Sequence, residues 1–481
     1  MAPRLPVLAL PLALAVAAVG CQSPGGRCST LDDCASTERC QEGVCVPAPI
    51  LGGNGSGGGS VPTSFTPVLW STVQASASAA FSVDAVSALS TNVYVAGALE
   101  GAYDPWALAT GAFAARLDAG GAPVWAVALP GLSHGTLRTA AAPDGGLLYA
   151  GASAGALVVG RLRPGDGGVD WERIIPGTHP TVSIAPVSLA ARGADLLVAG
   201  VGAADLGCGD TVTGGNATFA ALLDGVSGMA SCLWSRGFTI AQVTDLAPRD
   251  AGDVALAGLC SPGGFFDPGS ATTCTRGVFA AALDGSTGAT SWARFSSGAG
   301  TVTALRDLAV APDGTLALVG DAKGVVSFGG AAVNFGASEG SFAAVLSPAG
   351  AAGIVVRPVE APYAPLPDAA SFARAAYDRN GKLWIAGRYY GQPTLATTLF
   401  PSCREPACSA ASFLARIEPS GAVGSFLPIR AAAVSGAAYA DDLVLFATTG
   451  TVAHAQRFTG SAAGATPWTA TEGLGVLRVV P

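Results

Sequence analysis

Charged residues are scarce in this sequence: Asp, Glu, Lys and Arg make up 12% of its 481 residues, while 50% are hydrophobic. Such a composition excludes an intrinsically disordered chain, which would be rich in charge and poor in apolar residues. The 25 Lys and Arg are scattered and are outnumbered by 33 Asp and Glu. The chain therefore lacks the basic stripe that neutralises nucleic-acid phosphates, and no nucleic-acid partner is predicted.

Histidine is nearly absent. His134, His179 and His454 are the only three, and they lie far apart along the chain. This spacing leaves no recognisable metal motif or Ser-His-Asp motif. No glycine-rich phosphate or dinucleotide loop leads from a strand into a helix either. The sequence thus predicts no catalytic constellation, no metal site and no cofactor, and the histidines are expected to be packed or solvated.

Helical patterns are lacking as well. The chain contains 66 Gly and 32 Pro, and both residues disfavour the interior of a helix. Many short strands joined by turns fit this composition better. A chain of 481 residues could hold several ordinary domains, but all-β domains often run past roughly two hundred residues without dividing.

What is present begins with an export signal. Arg4 precedes an apolar run from Leu5 to Val19, which leads into Ala18-Val-Gly-Cys21. Small residues directly before a cysteine resemble a bacterial lipobox, which implies that residues 1–20 are a lipoprotein signal peptide and that Cys21 is acylated. A plain cleaved secretory signal is the alternative. A membrane-spanning helix is disfavoured, because the apolar run is shorter than about 20 residues and contains prolines.

Acyl chains on Cys21 would anchor the mature protein to a membrane without spanning it. The next residue is Gln22, and not the Asp that the lipobox resemblance associates with retention in the inner membrane. We therefore predict an exported protein, anchored at the outer membrane or the cell surface. A periplasm-facing or a secreted protein is the alternative.

Four cysteines follow within a short segment: Cys28, Cys34, Cys40 and Cys45. Residues 21–48 are too few to bury a core, so disulfides are expected to staple them. Zinc is the weaker interpretation, because the segment has no His and no close CxxC pairs. Of the three pairings that four cysteines allow, we favour Cys28 with Cys40 and Cys34 with Cys45. Residues 49–63 are rich in Gly and Ser, which predicts a flexible linker.

From residue 64 onward the sequence contains seven copies of one unit of about 58 residues. The first repeated element is an apolar strand that closes in Ala-Gly or a near variant, as in Asp195-Leu-Leu-Val-Ala-Gly200. We call the last residue of this element the marker residue. The seven marker residues are Gly97, Gly151, Gly200, Gly258, Gly320, Gly387 and Ala447.

A second repeated element follows each copy of the first and is clearest in Phe279-Ala-Ala-Ala-Leu-Asp284. A Gly-rich turn and usually a Trp come next, with Val355 and Phe426 as substitutes in the fifth and sixth copies. The tryptophans are Trp125, Trp171, Trp234, Trp292 and Trp468.

Another short strand precedes each Ala-Gly strand, often through an Asp-Gly or Asn-Gly turn of the hairpin type. The pattern therefore predicts four antiparallel strands in each unit. Their faces carry large or small apolar side chains and no polar side, as expected for sheets packed by neighbours on both faces. The fold prediction is all-β: a seven-bladed β-propeller of four-stranded antiparallel blades over residues 64–481.

The segment from Thr66 to Trp70 looks like the Trp strand of the other units, which makes eight such strands for seven blades. Either this N-terminal strand or the Trp468 strand completes the last blade. A blade built from both chain ends would close the ring and remove free edges.

The order of these elements is similar to the bacterial seven-bladed propeller repeat called the SBBP repeat, over residues 66–470. The Cys-rich segment resembles the modules placed after the lipid anchor in bacterial lipoproteins. The SBBP resemblance implies a secreted or surface propeller without a defined common reaction. Several copies depart from the Asp that the family has before Phe, and the residues in its place are Ala112, Thr218, Val278 and Ser341.

Six more cysteines lie in the repeats, and all three predicted pairs involve the loop between the two repeated elements. This loop varies from a few residues to the 25 residues from Arg388 to Ser412. An exported chain is expected to oxidise these cysteines, most simply within repeats, although six cysteines permit 15 pairings. The expected pairs are Cys208 with Cys232, Cys260 with Cys274, and Cys403 with Cys408.

Loops at equivalent places of a repeat emerge on one face of a ring, and variable loops on a rigid scaffold commonly carry binding sites. We therefore predict a non-enzymatic, monomeric binding or scaffold propeller for protein or glycan partners. The candidate contacts are Asp205, Asp210, Phe265, Phe266, Arg388, Tyr389, Tyr390 and Arg404.

Two other functions stay open. A propeller enzyme of the lyase, hydrolase or quinone-dependent dehydrogenase type would place its site in the central channel. A structural surface or adhesion component is the third interpretation. Calcium is a minor cofactor candidate at the turn from Asp378 to Gly381, although the alternating ligands of a calcium loop are missing there.

Overall fold

The computed structural model describes the backbone of residues 38–41, 44–47, 68–76, 80–89 and 92–479, with gaps in the last range, and side chains within 82–428 except 88, 104 and 241. The chain forms two compact units, 1–59 and 60–481. The gaps are 119, 134, 179–183, 209–217, 226–229, 239–240, 250–251, 261–276, 360–368, 379, 401–410, 432–443, 449–450 and 464–467.

Within the first unit, β1 (Glu38–Gln41) and β2 (Val44–Pro47) form an antiparallel hairpin. Its register places Cys40 opposite Cys45. The side chains of this unit lie outside the described residues, so the disulfide pairings expected there stay predictions, as does acylation of Cys21.

The second unit confirms the all-β prediction, because its described strands form four-stranded antiparallel sheets in chain order. After β3 (Val68–Ser76), six blades follow. Blade one is β4 (Ala80–Leu89), β5 (Asn92–Glu100), β6 (Gly111–Leu117) and β7 (Pro123–Ala128); blade two is β8 (Arg138–Ala141), β9 (Leu147–Ser153), β10 (Ala156–Leu162) and β11 (Val169–Pro176); blade three is β12 (Ala185–Arg192), β13 (Asp195–Val201), β14 (Thr218–Leu223) and β15 (Cys232–Phe238).

Blades four to six continue this order, and blades five and six add short strands in their loops. Blade four is β16 (Ala241–Pro248), β17 (Val254–Cys260), β18 (Gly277–Leu283) and β19 (Thr290–Phe295); blade five is β20 (Thr301–Val310), β21 (Leu316–Lys323), the loop strands β22 (Val325–Val326) and β23 (Val333–Asn334), β24 (Gly340–Leu346) and β25 (Ala352–Val356); then come β26 (Pro358–Val359) and blade six with β27 (Ala369–Tyr377), β28 (Leu383–Tyr390), the loop strands β29 (Thr394–Leu395) and β30 (Thr398–Leu399), β31 (Ala411–Ile417) and β32 (Val423–Ala431).

The seventh blade takes strands from both ends of the second unit. β33 (Val444–Thr448) pairs with β34 (Thr451–Ala463), which pairs with β35 (Trp468–Val479), and β35 pairs with β3. The first strands of blades one to six contact one another in order, and β33 contacts both β27 and β4. Seven strands thus close a ring around a central channel, and the N-terminal strand forms the outer edge of the last blade.

One sequence assignment in this blade is wrong. The repeat pattern identified the strand ending at Ala447 as a second strand, but β33 is the first strand of the seventh blade in the described part of the chain. The reason lies in the N-terminal strand. Because β3 supplies the outermost position, β33, β34 and β35 each lie one position closer to the axis than the pattern indicated.

The repeated glycine occurs where the first strand of a blade bulges toward the second. In blade four the register shifts between Val243 and Asp245, and a Cβ on Gly258 would overlap the Gln242 carbonyl oxygen. The marker glycine therefore allows a closer approach than any side chain would. The same overlap with a first-strand carbonyl oxygen occurs at Gly97, Gly200, Gly320 and Gly387.

The repeated Trp and Gly-rich turn meet across blade boundaries. Trp234 Nε1 donates a hydrogen bond to the Gly285 carbonyl of the next blade at 2.9 Å. A Cβ on Gly288, whose φ is +71°, would lie 2.7 Å from the same ring. Trp125 relates to the turn of blade two in the same way, since its Nε1 donates to Pro164 O at 3.1 Å. Trp125 and Trp234 therefore each close their blade against the next one.

The predicted Trp substitutes are wrong by one residue. In blade five Ile354 faces the next turn, because a Cβ on Gly421 would lie 3.6 Å from Ile354 Cδ1. In blade six Ser425 lies opposite Arg416, the position that Trp125 has in blade one. Phe426 instead lies in the core with 2% exposure. Blades five and six thus close without an indole.

Apolar packing on both faces of the blades is confirmed. One core cluster joins Leu197 and Trp234 of blade three to Leu256 and Phe279 of blade four. Another joins Ala257 of blade four to residues of blade five. No helix long and apolar enough to cross a membrane occurs in the part of the chain that the structure describes.

Candidate functional site

Polar side chains occupy one register position in the first strands of blades two to six. This position lies opposite the residue before the marker glycine, and in blades three to six it comes directly after the bulge. The residues are Arg138, Ser188, Asp245, Asp307 and Arg374, and their partners are Ala150, Ala199, Ala257, Val319 and Ala386. Because first strands surround the axis, these side chains lie at one level of the channel. We call them, together with Asp84 of the blade-one bulge, the channel residues.

The channel residues link neighbouring first strands. Ser188 Oγ donates to Asp245 Oδ1, and Asp245 Oδ2 accepts from the Leu308 amide at 3.1 Å. Asp307 Oδ2 accepts from the Ala375 amide at 2.6 Å. A chain of hydrogen bonds therefore runs from blade three to blade six. Buried polar groups joined in this way fix the relative positions of the strands that carry them.

The two channel arginines are held by backbone carbonyls. Arg138 Nε donates to Val187 O of the next blade at 2.8 Å, and Arg374 Nη1 donates to Arg306 O of the preceding blade at 3.0 Å. Burial lowers the pKa of the Arg138 guanidinium, the nearby Arg374 lowers it further, and Asp84 and Asp245 oppose both effects. Side chains of four different blades thus act on one another across the channel.

Two channel carboxyls hold their protons unusually well. Burial raises the pKa of Asp245, although hydrogen bonds from Ser188, Leu308 and Leu246 oppose it. Burial also raises the pKa of Asp307 well above its usual range, and the neighbouring Asp245 raises it further, while Arg374 lowers it. The two carboxyls therefore retain a proton at a pH where isolated Asp residues are ionised. A protonated carboxyl beside guanidinium groups can donate and accept hydrogen bonds to a polar ligand.

The second candidate site is the face where the loops between second and third strands emerge. We call it the insertion face. The insertion loops of blades one, five and six each pack an aromatic residue onto the Phe near the start of the third strand. Trp106 lies 5.7 Å from Phe113, Phe328 lies 4.7 Å from Phe342, and Phe400 lies 5.0 Å from Phe413, measured between ring centroids.

The connection that enters a blade also pairs with the insertion loop of that blade. Gly177 bridges to Ala204 in blade three, Ser297 bridges to Ser327 in blade five, and β26 pairs with β29 in blade six. The Thr178 amide donates to the Ala203 carbonyl at 2.9 Å in the first of these contacts. Backbone hydrogen bonds therefore hold the insertion loops of blades three, five and six at their bases, and aromatic packing holds those of blades one, five and six.

The residues predicted as surface contacts fall into three groups. Asp205 and Arg388 are exposed on the insertion face, and Tyr390 is partly exposed. The prediction for Tyr389 is wrong: this residue is 2% exposed and its ring lies 5.0 Å from that of Phe400, because it packs into the core of blade six while Arg388 before it is exposed. The remaining candidates, Asp210, Phe265, Phe266 and Arg404, lie outside the described residues.

The predicted disulfide between Cys208 and Cys232 is confirmed, with 5.3 Å between the two Cα atoms. It ties the insertion loop of blade three to the outer strand β15. Cys260 is also disulfide-bonded, and its predicted partner Cys274 lies outside the described residues. Cys403 and Cys408 lie outside them too.

The calcium candidate is a hydrogen-bonded turn. Asp378 Oδ1 accepts from the Asn380 and Lys382 amides at 2.8 and 3.0 Å, and Oδ2 accepts from Trp384 Nε1 at 3.2 Å. Across the described residues, no three His, Cys, Asp or Glu side chains lie close enough together to hold a metal. His134, His179 and the side chain of His454 lie outside the described part.

The channel residues were missed by the sequence analysis. Its repeat was defined on the second and third strands, whose residues recur, whereas the first strands differ in sequence from blade to blade. Pairing the residue before each marker glycine with its partner in the first strand would have placed Asp245, Asp307 and Arg374 at one equivalent position. This pairing can be found only if the position of the first-strand bulge is known, and no local residue pattern reveals that bulge.

No protein-family model matches the chain, and no curated protein matches it, so the SBBP resemblance stays a prediction. Solved structures do match. The β-propeller domain of the Trilobed protease from Pyrococcus furiosus has a TM-score of 0.44 and 9% identity, covering 82% of this chain and 96% of its own. BamB from Moraxella catarrhalis has a TM-score of 0.38 and 12% identity, covering 85% and 100%. The quinohemoprotein alcohol dehydrogenase from Comamonas testosteroni has a TM-score of 0.42 and 11% identity, covering 86% and 76%. At these values the matches supply no evidence of activity.

Proposed function

We propose that this protein is an exported, lipid-anchored propeller that acts without catalysis, and that it binds protein or glycan partners through its insertion face. In this proposal Cys21 carries the anchor and residues 49–63 form a tether between the anchor and the propeller. The ring supplies rigidity and the insertion loops supply specificity.

The observation that carries the proposal is the construction of the insertion loops. The insertion loops of blades three, five and six are fastened at their bases by backbone pairing, and those of blades one, five and six by an aromatic contact with a third-strand Phe. The Cys208–Cys232 disulfide also ties the blade-three loop to the outer strand β15. Ordering a loop costs free energy on binding, and a loop that is already ordered avoids much of that cost. The opposite face is made of short hairpin turns such as that of Asp284, whose side chain bonds the backbone within its own turn.

Blades five and six offer the strongest surface for contact. Their loops and the connection between them expose three apolar side chains: Val325 at 38%, Val359 at 50% and Leu399 at 38%. The exposed Arg388 lies on the same face. Apolar residues flanked by an arginine are typical of interface centres.

A second candidate function is a reaction in the channel, of the lyase, hydrolase or quinone-dependent dehydrogenase type. The raised pKa values of Asp245 and Asp307 favour it, because a carboxyl that holds its proton can act as a general acid. Three scaffold donors occupy Asp245, however: Ser188 Oγ and the amides of Leu246 and Leu308. We therefore rank binding first.

The proposal is tested with the soluble chain from residue 61 as bait against isolated bacterial envelopes. The V325S/L399S/R388A variant should lose the partner that the unchanged bait retains, because all three changes lie on the insertion face. The matched control is R163Q, which removes an exposed arginine from the hairpin-turn face and should retain the partner. Equal retention by the triple variant would exclude this surface, and loss with R163Q alone would move the site to the other face.

A further inference from the structure

Two channel arginines keep hydrogen-bond donors that the described protein does not use. Arg374 contacts the Arg306 and Ala373 carbonyls with Nη1 alone, at 3.0 and 3.1 Å. Its Nε and Nη2, which form an edge of two parallel donors, bond to no atom of the described residues. Arg138 uses Nε and Nη1 for the Val187 and Leu137 carbonyls, both at 2.8 Å, and leaves Nη2 without an acceptor in the same part of the chain.

The two arginines occupy the same register position of their first strands, at one level of the ring. Arg138 belongs to blade two and Arg374 to blade six, yet Arg374 acts electrostatically on Arg138 across the channel. Both side chains are partly exposed, so water or a small ligand reaches them. Neither guanidinium forms an ion pair with a carboxylate of the described residues, whereas Arg306 beside them pairs with Asp321 at 2.6 Å.

We propose that the channel binds a carboxylate anion, held in a fork by Nε and Nη2 of Arg374 and contacted by Nη2 of Arg138. Two parallel N–H donors match the two oxygens of a carboxylate, and such bidentate bonds are among the stronger polar contacts in proteins. The backbone carbonyls already fix both guanidinium groups, so the site is preorganised. An anion between them also relieves the repulsion of two like charges that share one channel.

The channel carboxyls set the conditions for binding. Asp84 and Asp245 lie close enough to Arg138 to act on its charge, and Asp245 and Asp307 interact with Arg374 in the same way, so these carboxyls would repel an anion there if all three were ionised. The pKa values of Asp245 and Asp307 are raised by burial, so the pair retains a proton. A protonated carboxyl can donate to a ligand oxygen, and binding is therefore tighter at mildly acidic than at alkaline pH, as long as the ligand itself stays ionised.

This site is separate from the insertion face and does not depend on the partner proposed there. The chemistry fits a free carboxylic acid and the carboxylate of a sugar acid equally well. The test distinguishes the two sources by titrating the protein with sodium acetate and with sodium glucuronate at constant ionic strength. Glucose and sodium chloride serve as controls, and both calorimetry and the midpoint of thermal unfolding are measured.

Saturable binding of acetate and glucuronate, without binding of glucose, supports a carboxylate site, and binding of glucuronate alone assigns it to sugar acids. R374Q should weaken binding about ten-fold or more, the factor that a charge-assisted hydrogen bond supplies. R294Q removes an exposed arginine outside the channel and should bind like the unchanged protein. R374K keeps the charge but not the fork and should show the same loss, which covers the case in which R374Q does not fold. Absence of saturable binding to the unchanged protein, or equal affinity in the folded Arg374 variants, would overturn the proposal.

Discussion

Gly258 shows how a single residue of the repeat is fixed by its surroundings. Its Cα lies against the bulge of β16, and an added Cβ would overlap the Gln242 carbonyl oxygen and come within 2.7 Å of the Phe279 ring. A backbone oxygen cannot rotate away as a side chain can. The glycine is therefore needed for packing density, and no positive φ is involved.

Gly258→Ala should lower the free energy of unfolding by about 1–3 kcal/mol, the usual cost of overpacking a filled core. Gly165→Ala is the matched control, because a Cβ there would meet no atom within 4 Å. Urea unfolding of both variants checks the prediction. Equal stabilities would mean that β16 moves aside at no cost and that the bulge does not require the glycine.

Asp307 links the stability of the channel to pH. Its folded pKa is raised above the ordinary value of 3.8, mainly by burial. The stability that the neutral carboxyl contributes is complete below pH about 4, where the unfolded chain is also protonated, and is lost as pH rises through the raised folded pKa. Asp307→Asn keeps an acceptor for the Ala375 amide but cannot ionise. The variant should therefore gain in thermal midpoint over the unchanged protein as pH rises from 4 to 8, and a pH-independent difference would contradict this.

At the scale of strands, a strand can be predicted from the sequence where its residues meet similar contacts from blade to blade. Second and third strands recur as Ala-Gly and Phe-Ala patterns because the marker glycine meets a first-strand carbonyl oxygen in blades one and three to six, and the third-strand Phe in blades three to six. First strands carry no shared pattern, because their one special position points into the channel and differs from Ser188 to Asp245 to Arg374. The fold was therefore readable from sequence, and the channel was not.

The contribution of the Trp contact to stability can be divided into a hydrogen-bond part and a packing part. Trp234→Phe keeps an aromatic ring over Gly288 but removes the 2.9 Å bond to Gly285 O, which should cost about 1 kcal/mol in addition to any packing loss. Trp171 occupies the same position in blade two, but its Nε1 is buried without an acceptor among the described residues. Trp171→Phe should cost less, measured by urea unfolding. A larger loss for Trp171→Phe would show that the indole N–H is not what closes a blade.

At the scale of the whole molecule, both candidate sites depend on closure of the ring. Only a closed ring brings Arg138 of blade two and Arg374 of blade six to one channel, and only a shared topology sends every insertion loop to one face. The sequence predicted that β3 or the Trp468 strand completes the last blade. Both are used, because β35 pairs with β3 on one side and with β34 on the other. Local pattern could not show this, since the pairing joins residues at opposite ends of the unit.

The most direct test of this closure is a cross-link between the two ends. Thr72 of β3 lies opposite Val476 of β35, so T72C/V476C should form an intrachain disulfide that mass spectrometry of a non-reduced digest identifies. The control T72C/A455C places the second cysteine on β34, two strands away, about 10 Å distant, and should form no such bond. A closed ring predicts a linked peptide of residues 72 and 476 in the monomer. A folded monomer without that link, or a link to residue 455 instead, would contradict the closed ring.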